Sequence, residues 1–265
     1  MKKSIQLVLS IAIAAVVAFG QKGPLPFDNS VFDSNFETAK WLAEYDEVAW
    51  KTSDVVMAQD KKELARLGTA WFCFKDSKEA WHAVYGKFEN SQFELVFHFT
   101  MDAKKVVTRS EEKPDSGMLG LYAKALGLGQ AKVKERVGAN APAFNQYIRR
   151  NSDQTFTVWL FPAFQTNGLA VYGGEGIFTI DSKAEKITKD ESYYQPGFRG
   201  FPTGNPREIW LNYRELKAPT LGAIFFVWYY REYFTSINID NAESMSTLIK
   251  SGNSHLWVHV VKDKK

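Results

Sequence analysis

The sequence predicts an α+β protein of antiparallel β-meander sheets, with helices at the N-terminus and a helical connector in the middle. Three observations predict it. Aromatic residues make up 15% of the chain, including 20 Phe and 8 Trp, and such side chains pack well on pleated sheet faces. Residues 93–100 alternate strictly, with Phe93, Leu95, Phe97 and Phe99 against Glu94, Val96, His98 and Thr100, the period of a strand with one face on a core. A matching strand end occurs twice, as Phe99-Thr100-Met101-Asp102-Ala103-Lys104 and as Phe178-Thr179-Ile180-Asp181-Ser182-Lys183, each followed by a short return strand. Trp81 and Trp159 precede the two aspartates at nearly equal distances, which suggests a duplicated meander. The alternative is chance recurrence, since Asp suits turns.

The chain opens on Met1-Lys2-Lys3, followed by an uncharged apolar run over residues 7–20 that ends in Ala18-Phe19-Gly20. A basic start, a short apolar run and a small-x-small site define a cleavable secretory signal over residues 1–20. The run is shorter than the ~20 residues a membrane-spanning helix needs, so no span is expected once the signal is removed. The pattern is that of a bacterial exported protein, periplasmic or secreted. Cys73 is the single cysteine; no intramolecular disulfide can form, and its aromatic surroundings Trp71-Phe72-Cys73-Phe74 read as a buried strand.

The elements follow in order. Residues 21–112 hold the N-terminal helices and the first meander. A helix capped by Asp33 or Ser34 runs to about Lys51, and a second spans residues 60–67, ended by Gly68. Strands follow at residues 71–75, 81–88 and 93–102, with a return strand from Val106. Residues 113–152 form the connector: a helix from Pro114-Asp115-Ser116 through Ala125, interruptions at Gly127, Gly129 and Gly138, and helical spacing in Phe144, Tyr147 and Ile148. Residues 153–265 form the second β-rich half, packed on the first, with strands at 156–161 and 169–181. The Gly- and Pro-rich residues 195–206 read as an irregular loop. Residues 221–234 are apolar all round: their length and a cap at Thr220 favour a buried helix, their aromatic content a strand, and the helix is the reading preferred, before strands at 236–240 and 255–262.

Function is sparsely encoded. Removing residues 1–20 takes the formal charge from +3 to +1, because Lys2 and Lys3 leave with no acids; so neutral a surface gives no reason to expect nucleic acid. Nucleophile elbows, phosphate loops, Cys-x-x-Cys and His-Glu-x-x-His are all missing, and no cofactor or metal is expected. His255 and His259 would stand ~13 Å apart on a strand, too far to share one zinc.

The oddest segment is Tyr172-Gly173-Gly174-Glu175-Gly176-Ile177-Phe178, where three glycines inside a strand imply a bulge or the close approach of another group. Glu175 falls on an apolar face and needs a partner, and the duplication sets that face against the one bearing His98. The candidate binding residues are therefore Glu175, Arg199, Tyr193, Tyr194 and His98, under the loop that starts at Tyr193. The structural alternative is a bulge with a bonded Glu175, and a loop whose Phe198 and Phe201 plug a sheet end. The expected function is a non-enzymatic binding or interaction module of the cell envelope, its partner an envelope ligand or protein. The alternative is an envelope-polymer hydrolase using Glu175 with a second carboxylate or a His as general acid and base.

Overall fold

The computed structural model describes residues 24–138 and 141–263; the signal expected at residues 1–20 lies outside them. The fold is α+β, with three mostly antiparallel sheets. The chain divides into two compact units, Trp41–Pro202 and the pair Met1–Lys40 with Thr203–Lys265.

Helix α1 (Asn29–Met57) belongs to both units. It starts earlier than Asp33 or Ser34 because Asp28 caps it, Oδ1 accepting the Ser30 N–H at 2.7 Å. The helix expected over residues 60–67 is the shorter α2 (Lys61–Leu64), capped by Asp60.

Two meanders form the unit Trp41–Pro202. The first runs β1 (Ala70–Lys75), β2 (Trp81–Glu89), β3 (Gln92–Met101) and β4 (Val107–Arg109) in sheet order. The second runs β5 (Phe144–Arg150), β6 (Phe156–Pro162), β7 (Leu169–Ile180) and β8 (Ile187–Asp190), with β9 (Tyr193–Pro202) also paired to β7. Their turns match. Between β1 and β2, Asp76 N donates to Ala80 O at 3.0 Å and Glu79 has φ 63; between β5 and β6, Asn151 N donates to Thr155 O at 2.8 Å and Gln154 has φ 70. Asp102 and Asp181 both cap their turns, Asp102 Oδ1 accepting from Lys104 N and Val106 N, and Asp181 Oδ1 from Glu185 N and Lys186 N. The two meanders thus follow one plan, although Phe156, not Trp159, takes the place of Trp81: Trp81 pairs with Met101 and Phe156 with Ile180.

The alternation in β3 is broken by a bulge. Tyr85 pairs with Phe97 but Gly86 with Leu95, so Val96 is the extra residue. Phe93 consequently joins Phe72 and Val84 in the core against the connector helix. Phe97 and Phe99 fall instead with Tyr85, whose hydroxyl reaches Ala49 O of α1 at 3.0 Å. The four do not share one face, and both faces of this sheet are covered.

The connector helix α3 (Ser116–Val137) is capped by Asp115 and runs unbroken through Gly127 and Gly129 to Gly138, φ 72. Gly129 serves packing: a Cβ there would stand 2.8 Å from Val158 Cγ1. The spacing read as helical at Phe144, Tyr147 and Ile148 is β5. Tyr147 and Ile148 are both buried, one toward Tyr45 of α1 and one in the core with α3, and a strand covered on both faces loses its period of two. Residues 195–202 are likewise part of a strand: β9 lies outside β7, where Pro196 and Pro202 need supply no ladder N–H.

In the other unit, β10 (Glu208–Tyr213) and β11 (Ser236–Asn241) run parallel, joined by α4 (Leu221–Tyr230), and β12 (Ser244–Ser251) and β13 (Ser254–Val261) continue antiparallel. Helix α4 is the buried helix expected, its N-cap Thr220 accepting from Ala223 N. Phe32 and Phe36 of α1 pack edge-on against Trp257. Among the described residues no helix is long and apolar enough to cross a membrane.

A Cβ on Gly86 would collide with the Glu94 carbonyl, which is backbone and cannot swing away. Gly86→Ala is expected to lower unfolding stability by about 1–3 kcal/mol or more, read as a fall in urea midpoint at unchanged slope; a midpoint equal to wild type would show that the bulge is not held by this contact.

Candidate functional site

The glycine run in β7 proves to be a packing device. Gly173 sits at the register shift with φ 103. A Cβ on Gly174 would collide with the Phe198 ring, and one on Gly176 would stand 2.7 Å from Val133 Cγ2 of α3 and 3.1 Å from the Tyr194 hydroxyl. Phe198 meets Phe144 edge-on at 5.8 Å, and Phe201 stacks on Tyr172 at 5.8 Å, so the two phenylalanines seal this part of the sheet.

Glu175 is 3% exposed and lies opposite Tyr193. Tyr194 is held over by the Arg136 guanidinium at 5.6 Å, and Arg136 pairs with Asp190 at 2.5 Å. Burial pushes the Tyr194 phenol up to about 12, with the charges of Asp190 and Glu175 adding to the rise and Arg136 opposing it. Arg199 is exposed and pairs with Tyr172, three positions along β7 from Glu175. The structure therefore brings Glu175, Tyr193 and Tyr194 together, sets Arg199 further along the strand, and places His98 in the other meander.

His98 belongs to a buried chain of polar groups. Its Nδ1 lies 2.9 Å from the Glu112 carbonyl and its Nε2 2.8 Å from His82 Nδ1. His82 Nε2 lies 3.4 Å from Asp76 Oδ2, within ion-pair reach but outside hydrogen-bond geometry. His82 and His98 are 5% and 3% exposed, with His82 also stacked on Phe74. The Gly86 bulge makes this chain. Residues Glu89 and Gln92 pair at the hairpin turn, so without the extra residue His98 would stand opposite Ala83 and face away from His82. With it, His98 pairs with Val84 and shares the face of His82.

Burial alone would raise Asp76, but hydrogen bonds from the Ala80 and Lys78 amides, with the nearby His82 adding to them, outweigh it and hold the carboxyl below its ordinary range. Burial lowers His98, the Glu112 carbonyl pulls the other way, and the neighbouring His82 lowers it further.

Asp76 also opens onto a bay of about 210 Å³. The bay lies where β1 and β5 run side by side in one direction: Trp71 O accepts Gln146 Nε2 at 2.7 Å lower down, and Lys75 and Asp76 meet Arg149 and Arg150 at the top. Its apolar lining comes from Trp41, Phe74, Tyr122 and Ile148. Arg149 is the unusual member. Its guanidinium sits over two indoles, 5.5 Å from Trp41 and 5.2 Å from Trp159, and has no carboxylate partner among the described residues. Arg150 lies over Phe156 at 5.9 Å, and its Nε is buried without a hydrogen-bond partner. In contrast, Lys75 has Glu44 at 3.5 Å and Glu79 at 3.4 Å.

Two larger hollows carry weaker chemistry. One of about 410 Å³ is lined by the β1 edge and α3, where the Gln130 amide donates to Gln146 Oε1 and Gln146 in turn donates to Trp71. One of about 560 Å³ is lined by charges that pair with each other, including Lys105 with Glu47 at 2.7 Å.

Sequence reasoning found His98 but not its partner His82, nor Arg149, Arg150 and Trp41. Arg149 and Arg150 follow the residues whose spacing reads as helical, and with them form β5.

His259 lies 2.8 Å from Ser246 Oγ, and His255 3.8 Å from Glu232. Among the described residues no group of three His, Cys, Asp or Glu side chains is placed to hold a metal ion. Burial lifts the Cys73 thiol well above its ordinary value, which suits a packing residue. Comparison with family models, curated proteins and solved structures finds no match to this chain.

Asp76 contributes stability as a carboxylate whose folded pKa is depressed, so its contribution is full above the unfolded value of about 3.9 and fades as pH falls through the folded one. Asp76→Ala is expected to cost about 1–2 kcal/mol at neutral pH through the lost turn hydrogen bonds. The gap to wild type should narrow below about pH 4; urea titrations at several pH values check it, and a gap constant with pH would contradict the assignment.

Proposed function

We propose that the protein is an exported, non-enzymatic binding module of the cell envelope, and that its ligand seat is the bay bounded by Trp41, Tyr122, Arg149 and Arg150. Export is supported by Met1-Lys2-Lys3, the apolar residues 7–20 and the small-x-small Ala18-Phe19-Gly20. The observation that carries the ligand seat is Arg149. A guanidinium packed against two adjacent indoles is held in place before anything binds, and its donors have no carboxylate to satisfy them among the described residues. An aromatic wall beside such a group is a common form of small-molecule site.

The hydrolase alternative has less behind it. Glu175 lies at the β7–β9 pairing, and the imidazole of His98 is engaged by His82 and the Glu112 carbonyl, so these two do not form an acid–base pair. In the bay itself, Asp76 Oδ1 already accepts from Lys78 N and Ala80 N, at 2.8 and 2.9 Å.

Two experiments test the reading. Intact mass of the protein recovered from the cell envelope is expected to match a chain beginning at Gln21; a chain beginning at Met1 in the cytosol would refute export. For the seat, small neutral, cationic and anionic solutes are screened by thermal unfolding. A solute that occupies the bay at about 100 times its Kd should raise the midpoint by about 5–10 °C, and Arg149→Leu should abolish that rise. If no solute stabilises the wild type, or the rise survives in Arg149→Leu, the bay is not the seat.

A further inference from the structure

The His82–His98 chain lacks one proton, and only one position can take it. The Glu112 carbonyl can only accept, so His98 Nδ1, 2.9 Å away, carries a hydrogen. A neutral His98 then offers Nε2 as an acceptor, and His82 Nδ1, 2.8 Å away, must donate to it. His82 Nε2 is left with a lone pair facing the Asp76 carboxylate at 3.4 Å, in a side chain that is 7% exposed. A proton on Nε2 turns that repulsion into attraction and disturbs nothing else, since Nδ1 goes on donating.

The bay stands on the other side of Asp76. Its lining holds Lys75, Arg149 and Arg150 against Asp76 and Glu79, leaving one net positive charge. That matches a monoanion. The rest of the wall, Trp41, Phe74, Tyr122 and Ile148, suits an apolar body. A cavity of about 150 Å³ takes a benzene ring, so about 210 Å³ admits a ring of that size with a carboxylate attached.

We propose that the bay binds a small organic carboxylate together with a proton, the carboxylate on Arg149 and Arg150 and the proton on His82 Nε2. The proposal rests on the bay being the ligand seat. The groups that face His82 are His98 from β3, Asp76 from the turn after β1, and the Phe74 ring from β1; Lys75, Glu79, Tyr122, Arg149 and Arg150 lie beyond Asp76 in the bay. A bound carboxylate adds a second negative charge beside Asp76, and a cation at His82 offsets it. By linkage the two bind cooperatively: the carboxylate draws in the proton, and acidification tightens carboxylate binding.

The test titrates benzoate into the mature chain by calorimetry, from about pH 8 to about pH 5.5, the range in which imidazoles change charge, in buffers of differing ionisation enthalpy. Expected are proton uptake approaching one per benzoate and an affinity that rises by up to about tenfold per pH unit, the limit for a single linked proton. His82→Gln is expected to remove both the uptake and the slope, and Arg149→Leu to remove benzoate binding. Should His82→Gln fail to fold, ¹⁵N imidazole spectra of the wild type decide: benzoate added at constant pH should protonate His82 Nε2. Benzoate binding without proton uptake, or with Nε2 unchanged, overturns the proton link and leaves the seat intact. Binding of inorganic phosphate or benzamide, but not benzoate, at an Arg149-dependent site overturns the ligand class. If nothing binds in an Arg149-dependent way, the seat itself is wrong.

Discussion

A strand edge is a row of unpaired amides and carbonyls, and in Trp41–Pro202 two such edges lie side by side. β1 and β5 are the first strands of their meanders and ladder on one side only. Leaving one buried backbone group unpaired costs about 1–3 kcal/mol. Side chains close the seam in place of a ladder. Gln146 donates to Trp71 O at 2.7 Å, and the Tyr45 hydroxyl of α1 takes the Cys73 N–H at 2.9 Å. Helix α1 thus supplies a hydroxyl to the junction from one face, while Tyr122 of α3 packs on Phe72 and Phe74 of β1 from the other. Because the seam is closed at points rather than along its length, space is left at its end, and the Arg149 bay occupies that space.

Much of this architecture is legible along the chain. Asp102 and Asp181 close equivalent turns, the repetition visible in the sequence. The long β7 is plain from its apolar run, whereas the run that forms α4 could be helix or strand until its length and the Thr220 cap are weighed. Other elements are hidden for physical reasons. In β5, Tyr147 and Ile148 are buried on opposite faces, so the strand has no polar side to reveal it. In β9, two prolines imitate a loop because an outer strand need not donate on one side. In β3, a single extra residue swaps faces halfway, and no local signal short of Gly86 marks it.

The candidate site was legible only in parts. The glycines around Glu175 mark a place where other groups press close, and those groups prove to be Phe198, Val133 and Tyr194. His98 was identified, but its partner depends on the bulge, and Arg149 depends on which two strands abut. Local pattern reports what a residue needs, whereas the groups that meet its need come from register and topology. Gly86 shows the distance such effects reach: its missing side chain admits the Glu94 carbonyl, which shifts the hairpin and brings two imidazoles onto one face.

The packing of Arg149 on its two indoles has an optical consequence. Trp41 and Trp159 stand 5.7 Å apart by ring centre, with Trp81 5.4 Å from Trp41, so three of the chain's 8 tryptophans form one cluster of coupled chromophores with a cation lodged against two of them. Exciton coupling among them would impress a near-ultraviolet circular-dichroism signature on the folded chain. A charge seated beside the guanidinium would perturb their emission, so the protein carries at its bay a built-in spectroscopic gauge of occupancy.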